Sequence, residues 1–476
     1  MTLIWYVAVY LGVSVAIGLV TARWVHTSKD FAVAGRHLPL PVVTATVFAT
    51  WFGSEAVFGA SGVFAKEGSN LGSIIADPFG AGLCLIIAGV FFSSKLYRLN
   101  VLTLGDYYRG RYGRTVEILT TFCIIIAYLG WVAAQIKALG IVFVDLSAGH
   151  IDLTQAQGMI LGAVLVLIYT SVGGMLSVAV LDFVQMTLII VGLFYIAWLV
   201  AGMAGGADVV IQSASAAGKL EFFPKDVSLK EWFIFIAPGI NLMLGSIPQQ
   251  DVFQRITSAN SAKTALRGSL LGGGFYILFC FVPIFIAYGA TLIAPEVFIR
   301  LAQNEPENII PSLVHNYMPI GAQILFFGAV ISAIMSTSSA TLLAPSVAFA
   351  ENVVRGFLPQ LTDRGFLYVM RICTVLFTVV VLGFALMNLD ASIYEMVESA
   401  YSITLAGAFV PLLAGPFWKR ATNQGALAAV LCGIAAWLIV AHGLGEPGVG
   451  SLAGLAFSAL GLVIGSLLPQ WLPEGK

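Results

Sequence analysis

Five hydroxyl residues, Ser332, Ser336, Thr337, Ser339 and Thr341, lie in a stretch of chain otherwise apolar enough to cross a bilayer. Unmet polar groups cost several kcal/mol in lipid, so a lone helix cannot satisfy them all and they need partners. Hydroxyl and carbonyl oxygens suit a small hard cation, and Ala333, Ser336 and Thr337, spaced i, i+3 and i+4, share one helix face. Small polar side chains also let membrane helices approach closely, so the same run reads equally as a packing surface. Charged groups inside apolar stretches narrow the choice. Glu55, Asp77, Lys137, Asp182, Asp251, Glu395 and Glu398 lie in or near such stretches, where each costs about 2.5–3.5 kcal/mol at a helix centre. Asp182 and Ser336 fall at similar depth, where one cation satisfies both. Glu55 and Lys137 read either as a structural ion pair or as groups touching a solute. Asp251, Glu395 and Glu398 read as residues near an interface.

The elements that must hold these residues follow from composition. The 476 residues are 59% hydrophobic and 10% charged, with 50 glycines and a mean hydropathy of +0.94, which excludes a soluble enzyme and predicts an all-α polytopic membrane protein. A formal net charge of -1 with no basic run gives no footing for nucleic acid. The five cysteines fall in apolar spans without Cys-x-x-Cys spacing and read as small core residues. The first apolar run has no basic segment before it and no cleavage site after it, so it reads as a retained helix. Apolar runs follow at 39–64, 71–96, 116–145, 154–173, 177–203, 231–254, 265–294, 320–349, 366–388, 393–417, 423–442 and 449–470, giving about thirteen transmembrane helices. Basic residues such as Arg23, Arg36, Arg98, Arg109, Arg111, Arg114, Arg267, Arg355 and Lys419 gather in alternate loops, whereas the opposite side holds only Lys66, Lys219, Lys225, Lys230 and Arg300. That bias predicts an outside N-terminus and a cytoplasmic C-terminus in the inner (plasma) membrane.

Two spans carry helix breakers beside polar residues. Ala49 to Glu55 reads Ala-Thr-Trp-Phe-Gly-Ser-Glu, and Gly245 to Asp251 reads Gly-Ser-Ile-Pro-Gln-Gln-Asp. The breaks sit five spans apart, at the start of a block 39–203 and of a block 231–417, and an odd offset gives the blocks opposite membrane orientation. Matching interruptions in two halves point to a secondary transporter with inverted repeats and a midplane site; ordinary kinks are the plainer reading.

The stretch Tyr169 to Ser177 (Tyr-Thr-Ser-Val-Gly-Gly-Met-Leu-Ser), with Asp182 and Gln185 after it, resembles the signature of the sodium/solute symporter family. Phe409 to Ala426, Gly245 to Arg255 and the hydroxyl-rich run extend the resemblance over nearly the whole chain. It implies the fold of the leucine transporter: two inverted five-helix repeats, one helix before them in a leading segment 1–38 and two after them in 418–476, with an external loop at 204–230. It also implies sodium as the coupling ion, held by the carbonyls of Ala49, Phe52 and Ala333 and the hydroxyls of Ser336 and Thr337. Asp182 and Ser339 match positions that form a second cation site in some relatives.

Within the family, the nearest branch resembles the high-affinity choline transporters, through Thr46 to Trp51, Phe91-Phe92, Trp131 and Gly245 to Arg255. Trp51 and Trp131 then offer aromatic faces to a quaternary ammonium, although tryptophans in membrane proteins also serve as interface anchors. Gln249 departs from the pattern, standing where an aromatic cage residue is expected. Glu55, Asp77 and Lys137 add charge that a simple cation cage does not need, which keeps an amino acid such as proline, or a small carboxylate, as an alternative solute. The expected function is sodium-coupled import of a small polar organic solute across the lipid bilayer by alternating access, with no other cofactor. A sensor or channel on the same fold is the reading from another class. No repeated selectivity filter and no metalloprotease, nucleophile-elbow or Walker motif is present in the sequence.

Overall fold

The computed structural model describes residues 2–147, 152–225 and 227–472. The chain end at Lys476 and the side chain of Tyr169 fall outside these residues. Among the described residues ten helices are long and apolar enough to span a membrane: α1 (Ile4–Trp24), α4 (Leu71–Leu99), α5 (Arg114–Ser147), α7 (Thr170–Met203), α10 (Ala262–Ile293), α11 (Ile320–Phe357), α12 (Asp363–Met387), α13 (Ile393–Phe417), α14 (Asn423–Gly443) and α15 (Pro447–Leu467). Two further spans are bent pairs, α2 with α3 (Leu40–Trp51 and Glu55–Ala65, bent by 54°) and α8 with α9 (Leu229–Gly245 and Gln250–Ser258, bent by 44°). The described residues thus hold ten to twelve spans against the thirteen or so expected, and a shorter apolar helix, α6 (Gln155–Ile168), precedes α7. It is not separated from α7 by a loop: the backbone runs helically from Gln155 to Met203 and breaks only at Gly174. That residue sits at φ 53°, and a Cβ there would lie 2.5 Å from the Phe31 ring and carbonyl, so a side chain is excluded twice.

Burial ranks the spans by their place in the bundle. The most apolar window of α11 is 67% buried and that of α1 only 22%, so α11 is a central element and α1 is left for lipid to cover. The α11 helix packs against α5 and α7, and α10 packs against α2 and α4. Helices α14 and α15 pack through small residues: a Cβ on Gly433 would meet the Ser458 Cβ at 2.8 Å, and one on Gly465 would meet the Gly425 backbone at 2.9 Å. Such contacts suit helix association where lipid removes most of the hydrophobic drive. The start of α2 and the end of α9 are tied by backbone bonds, Leu38 N–H to Ser258 O and Asn260 N–H to Leu38 O, each 3.0 Å. The two bent spans are therefore joined at one end. Four cysteines are buried as expected, but Cys432 is exposed on α14, because an apolar residue on a peripheral helix can face lipid as easily as core.

The segment 204–225 is tied to α3 by Lys219. Its Nζ donates to the Phe64 carbonyl (2.9 Å) and to the Lys66 carbonyl, where a cation complements the C-terminal end of a helix. Burial pulls its pKa from 10.5 down to about 8, with Glu67 opposing the shift. A lysine with a depressed pKa binds fewer protons docked than free, so docking of this segment strengthens as pH rises from about 8 to the ordinary lysine range. Amide exchange over residues 207–219, corrected for intrinsic rates, is expected to be better protected at about pH 9.5 than at about pH 7.5. Equal or weaker protection at the higher pH contradicts this, and Lys219→Met should abolish the response.

Candidate functional site

The first break follows from Gly53. Phe52 leaves the helix at φ -88°, ψ 78°, and the Ser54 N–H donates to Gln135 Oε1 at 3.0 Å. A Cβ on Gly53 would lie 2.7 Å from both Gln135 Oε1 and Thr337 Oγ1, and 2.8 Å from Glu55 Oε2. Only glycine lets three oxygens approach the backbone this closely. One turn earlier, the Ala49 carbonyl accepts from Ser336 Oγ (3.0 Å) and Thr337 Oγ1 (3.2 Å). Ser336 Oγ also donates to Asp182 Oδ1 at 2.5 Å, and the Thr46 hydroxyl donates to Asp182 Oδ2. Ala49, Phe52, Asp182, Ala333, Ser336 and Thr337 are all buried. Oxygens from α2, α7 and α11 thus converge at one point with a single carboxylate among them, a donor set suited to a hard monovalent cation that must also be released.

The rest of the hydroxyl run behaves differently from expectation. Ser338, Ser339 and Thr341 donate to the carbonyls of Ile334 (2.6 Å), Ser336 (2.9 Å) and Thr337 (2.7 Å) in their own helix. A helix can satisfy its hydroxyls through carbonyls three or four residues back, so those residues need no outside partner. Ser336 and Thr337 reach across to a carbonyl of α2. The structure brings Asp182 to Ser336 and Thr46, while the Ser339 hydroxyl donates to the Ser336 carbonyl.

The second break lies at Ser246–Gln249, where Pro248 cannot donate to a helical carbonyl. Asp251, two residues on, is fully buried. It takes the Trp51 Nε1 proton on Oδ2 (3.0 Å) and the Tyr128 hydroxyl on Oδ1, while its own N–H donates back to the Tyr128 oxygen (2.9 Å). Asp251, expected near an interface, is thus enclosed between α2, α5 and α9. Arg255, also buried, donates from Nε to Thr50 Oγ1 at 2.9 Å. Trp51 lies 5.3 Å from Trp131 and 6.3 Å from Tyr401, which stacks nearly parallel to it at 13°. Trp131 is 5.7 Å from Tyr401 and 6.0 Å from Tyr128. Four aromatic rings from α2, α5 and α13 thus meet between the two breaks. Both amide atoms of buried Gln249, the Tyr401 hydroxyl and the Ser54 hydroxyl have no hydrogen-bond partner there.

Glu55 does not pair with Lys137. Its Oε1 accepts from Trp131 Nε1 (3.1 Å) and its Oε2 from Gln135 Nε2 (2.5 Å), while Lys137 Nζ donates to the Ala391 carbonyl (2.5 Å). Residues 131 and 135 share a face of α5 and residue 137 lies well around the helix from them, which removes Lys137 from the group. Asp77 accepts the Tyr276 hydroxyl on Oδ1 at 2.5 Å. The residues the sequence reading missed are Tyr128, Gln135, Arg255, Tyr276 and Tyr401. Tyr128 and Gln135 had a legible signal, since they lie three before and four after Trp131 on one helical face, and Arg255 closes the Gly245–Arg255 stretch four residues after Asp251; Tyr276 and Tyr401 had none.

An all-helical membrane bundle whose two interrupted spans bring buried carbonyls, hydroxyls and carboxylates together is built as a secondary transporter. The model of the Sodium:solute symporter family matches residues 31–433, and the chain belongs to that family. It is a sodium-coupled symporter with the leucine-transporter fold, not an enzyme. It is similar to the high-affinity choline transporter 1 of Torpedo marmorata, 29% identical over 412 residues that cover 85% of this chain and 69% of that one. It is also similar to the sodium/proline symporter of Haemophilus influenzae, 25% identical over 97% of this chain and 93% of that one. Among solved structures, a Na+-coupled sialic acid symporter in a substrate-bound outward-open state superposes with a TM-score of 0.84 at 17% identity, covering 98% of this chain and 97% of that one, a likeness of fold.

Proposed function

We propose that this symporter carries a small solute with a positively charged nitrogen, a choline-like quaternary amine or an amino acid such as proline, into the cell together with sodium. The observation that carries this reading is the ring cluster of Trp51, Trp131 and Tyr401 between the two breaks, with the indole N–H groups held by Asp251 and Glu55. A carboxylate behind each indole makes the ring faces more attractive to a cation, and desolvation strengthens the contact. Solute contacts are assigned to Trp51, Glu55, Asp77, Trp131 and Gln249. The similarity to choline and proline transporters supports the same solute class. A small carboxylate is the second reading, favoured by the unpartnered amide of Gln249 at the N-terminus of α9; Asp251 in the first turn of that helix opposes it.

Sodium is assigned to the carbonyls of Ala49, Phe52 and Ala333 and the hydroxyls of Ser336 and Thr337, with Asp182, and Ser339 after a turn of its side chain, serving a second cation. The repeats are assigned to 39–203 and 231–417, rocking against each other about this site. The plasma membrane, an outside N-terminus and a cytoplasmic C-terminus complete the reading, supported by the loop charges. Cysteine placed at Arg109 is expected to resist a membrane-impermeant maleimide in intact cells, and cysteine at Lys225 to react; the reverse pattern inverts the orientation. Proteoliposomes should accumulate labelled choline or proline when an inward sodium gradient is imposed and should not when potassium replaces sodium. Uptake insensitive to that replacement defeats the coupling.

A further inference from the structure

Asp77 is the buried carboxylate with an open valence. Its Oδ1 accepts the Tyr276 hydroxyl (2.5 Å), but Oδ2 has no hydrogen-bond partner and the residue is only 2% exposed. An unmet carboxylate oxygen inside a membrane protein is costly. The segment Ile75–Gly80 that carries Asp77 packs against the segment Glu55–Ala60, and Glu55 already holds a donor on each oxygen. Among the described residues, neither carboxylate forms an ion pair with lysine, arginine or histidine. Lys137 donates to the Ala391 carbonyl and Arg255 to Thr50 and the α9 backbone.

We infer that Asp77 Oδ2 accepts an N–H from the solute's ammonium group, which makes the protein select protonated amines that keep an N–H over fully substituted quaternary ones. This rests on reading the ring cluster as the solute site. A protonated amine presents up to three N–H donors, and a quaternary nitrogen presents none. Further acceptors stand unfilled beside the cluster. The Ser54 hydroxyl precedes Glu55 and is fully buried without a partner. The Tyr401 hydroxyl, also buried without a partner, belongs to the ring in contact with both Trp51 and Trp131. An inorganic cation fits this place less well, because it wants roughly six oxygens. Here Tyr276, Trp131 and Gln135 aim donor hydrogens at the other three carboxylate oxygens. Among the described residues no group of three or more His, Cys, Asp or Glu could hold a metal ion.

The test uses the purified full chain in proteoliposomes and follows tryptophan fluorescence at neutral pH. Two probe series are titrated in saturating sodium: ethanolamine with its mono- and dimethyl forms and choline, and proline with its N-methyl and N,N-dimethyl forms. In the series that binds, affinity should fall by roughly tenfold or more at the last methylation, where the final N–H is lost. Asp77→Asn should erase that step, while the sodium transition recorded without amine stays where it was. Should that variant fail to fold, the wild-type methylation step still decides. The inference is overturned if quaternary and N–H forms bind alike, if neither series binds although sodium does, or if Asp77→Asn shifts the sodium midpoint, which makes Asp77 an inorganic-cation ligand. It is equally overturned if Asp77→Asn alters only the pH profile, the mark of a proton site. A wild type that gives no sodium response at all fails the symporter reading instead, so the two failures are distinct.

Discussion

Replacing Ser336 and Thr337 together by alanine is expected to raise the sodium half-saturation by roughly a hundredfold to ten-thousandfold, with each deleted charge-assisted contact contributing about 1.5–3 kcal/mol. The effect is large because these two hydroxyls reach the Ala49 carbonyl from α11 (3.0 and 3.2 Å), whereas Ser338, Ser339 and Thr341 are satisfied within their own helix. Alanine keeps most of the packing volume, so expression and membrane insertion should be close to normal. Thr341→Ala is the matched control: it removes a hydroxyl from the same helix but no bond between helices, and should leave sodium dependence unchanged. The measurement is initial uptake against external sodium in proteoliposomes. An unchanged midpoint in the double variant moves the ion elsewhere. An equal shift in Thr341→Ala makes the effect one of helix packing.

Trp51→Ala and Trp131→Ala are each expected to raise the solute half-saturation by roughly thirtyfold, the equivalent of about 2 kcal/mol for a desolvated cation–π contact. Sodium binding measured without solute should change little. The structure adds a distinction between ring and N–H. Trp51 Nε1 holds Asp251 and Trp131 Nε1 holds Glu55, so each indole both faces the cluster and steadies a carboxylate. Phenylalanine at either position keeps an aromatic face and deletes the N–H. If the face dominates, Trp51→Phe should recover most of the lost affinity; if steadying the carboxylate dominates, it should resemble Trp51→Ala. A solute whose uptake ignores both alanine variants but depends on Gln249 returns the small-carboxylate reading to first place.

The sequence alone determined the membrane class and the position of both breaks. Lipid imposes long apolar runs, and Gly53 and Pro248 interrupt them visibly. It also exposed Ser336 and Thr337 as one helical face, because spacing along a helix fixes which side chains point together. Tertiary structure decided which hydroxyls leave their own helix. That choice depends on whether a freed carbonyl lies opposite, and only the packing of α2 on α11 puts the Ala49 oxygen there. It likewise gave Glu55 to Trp131 and Gln135 rather than to Lys137, enclosed Asp251 between α2, α5 and α9, and supplied Tyr401 from a distant span. Periodicity records which face of a helix avoids lipid, not which neighbour meets it, so contacts between spans far apart in the chain were legible only once the helices were packed.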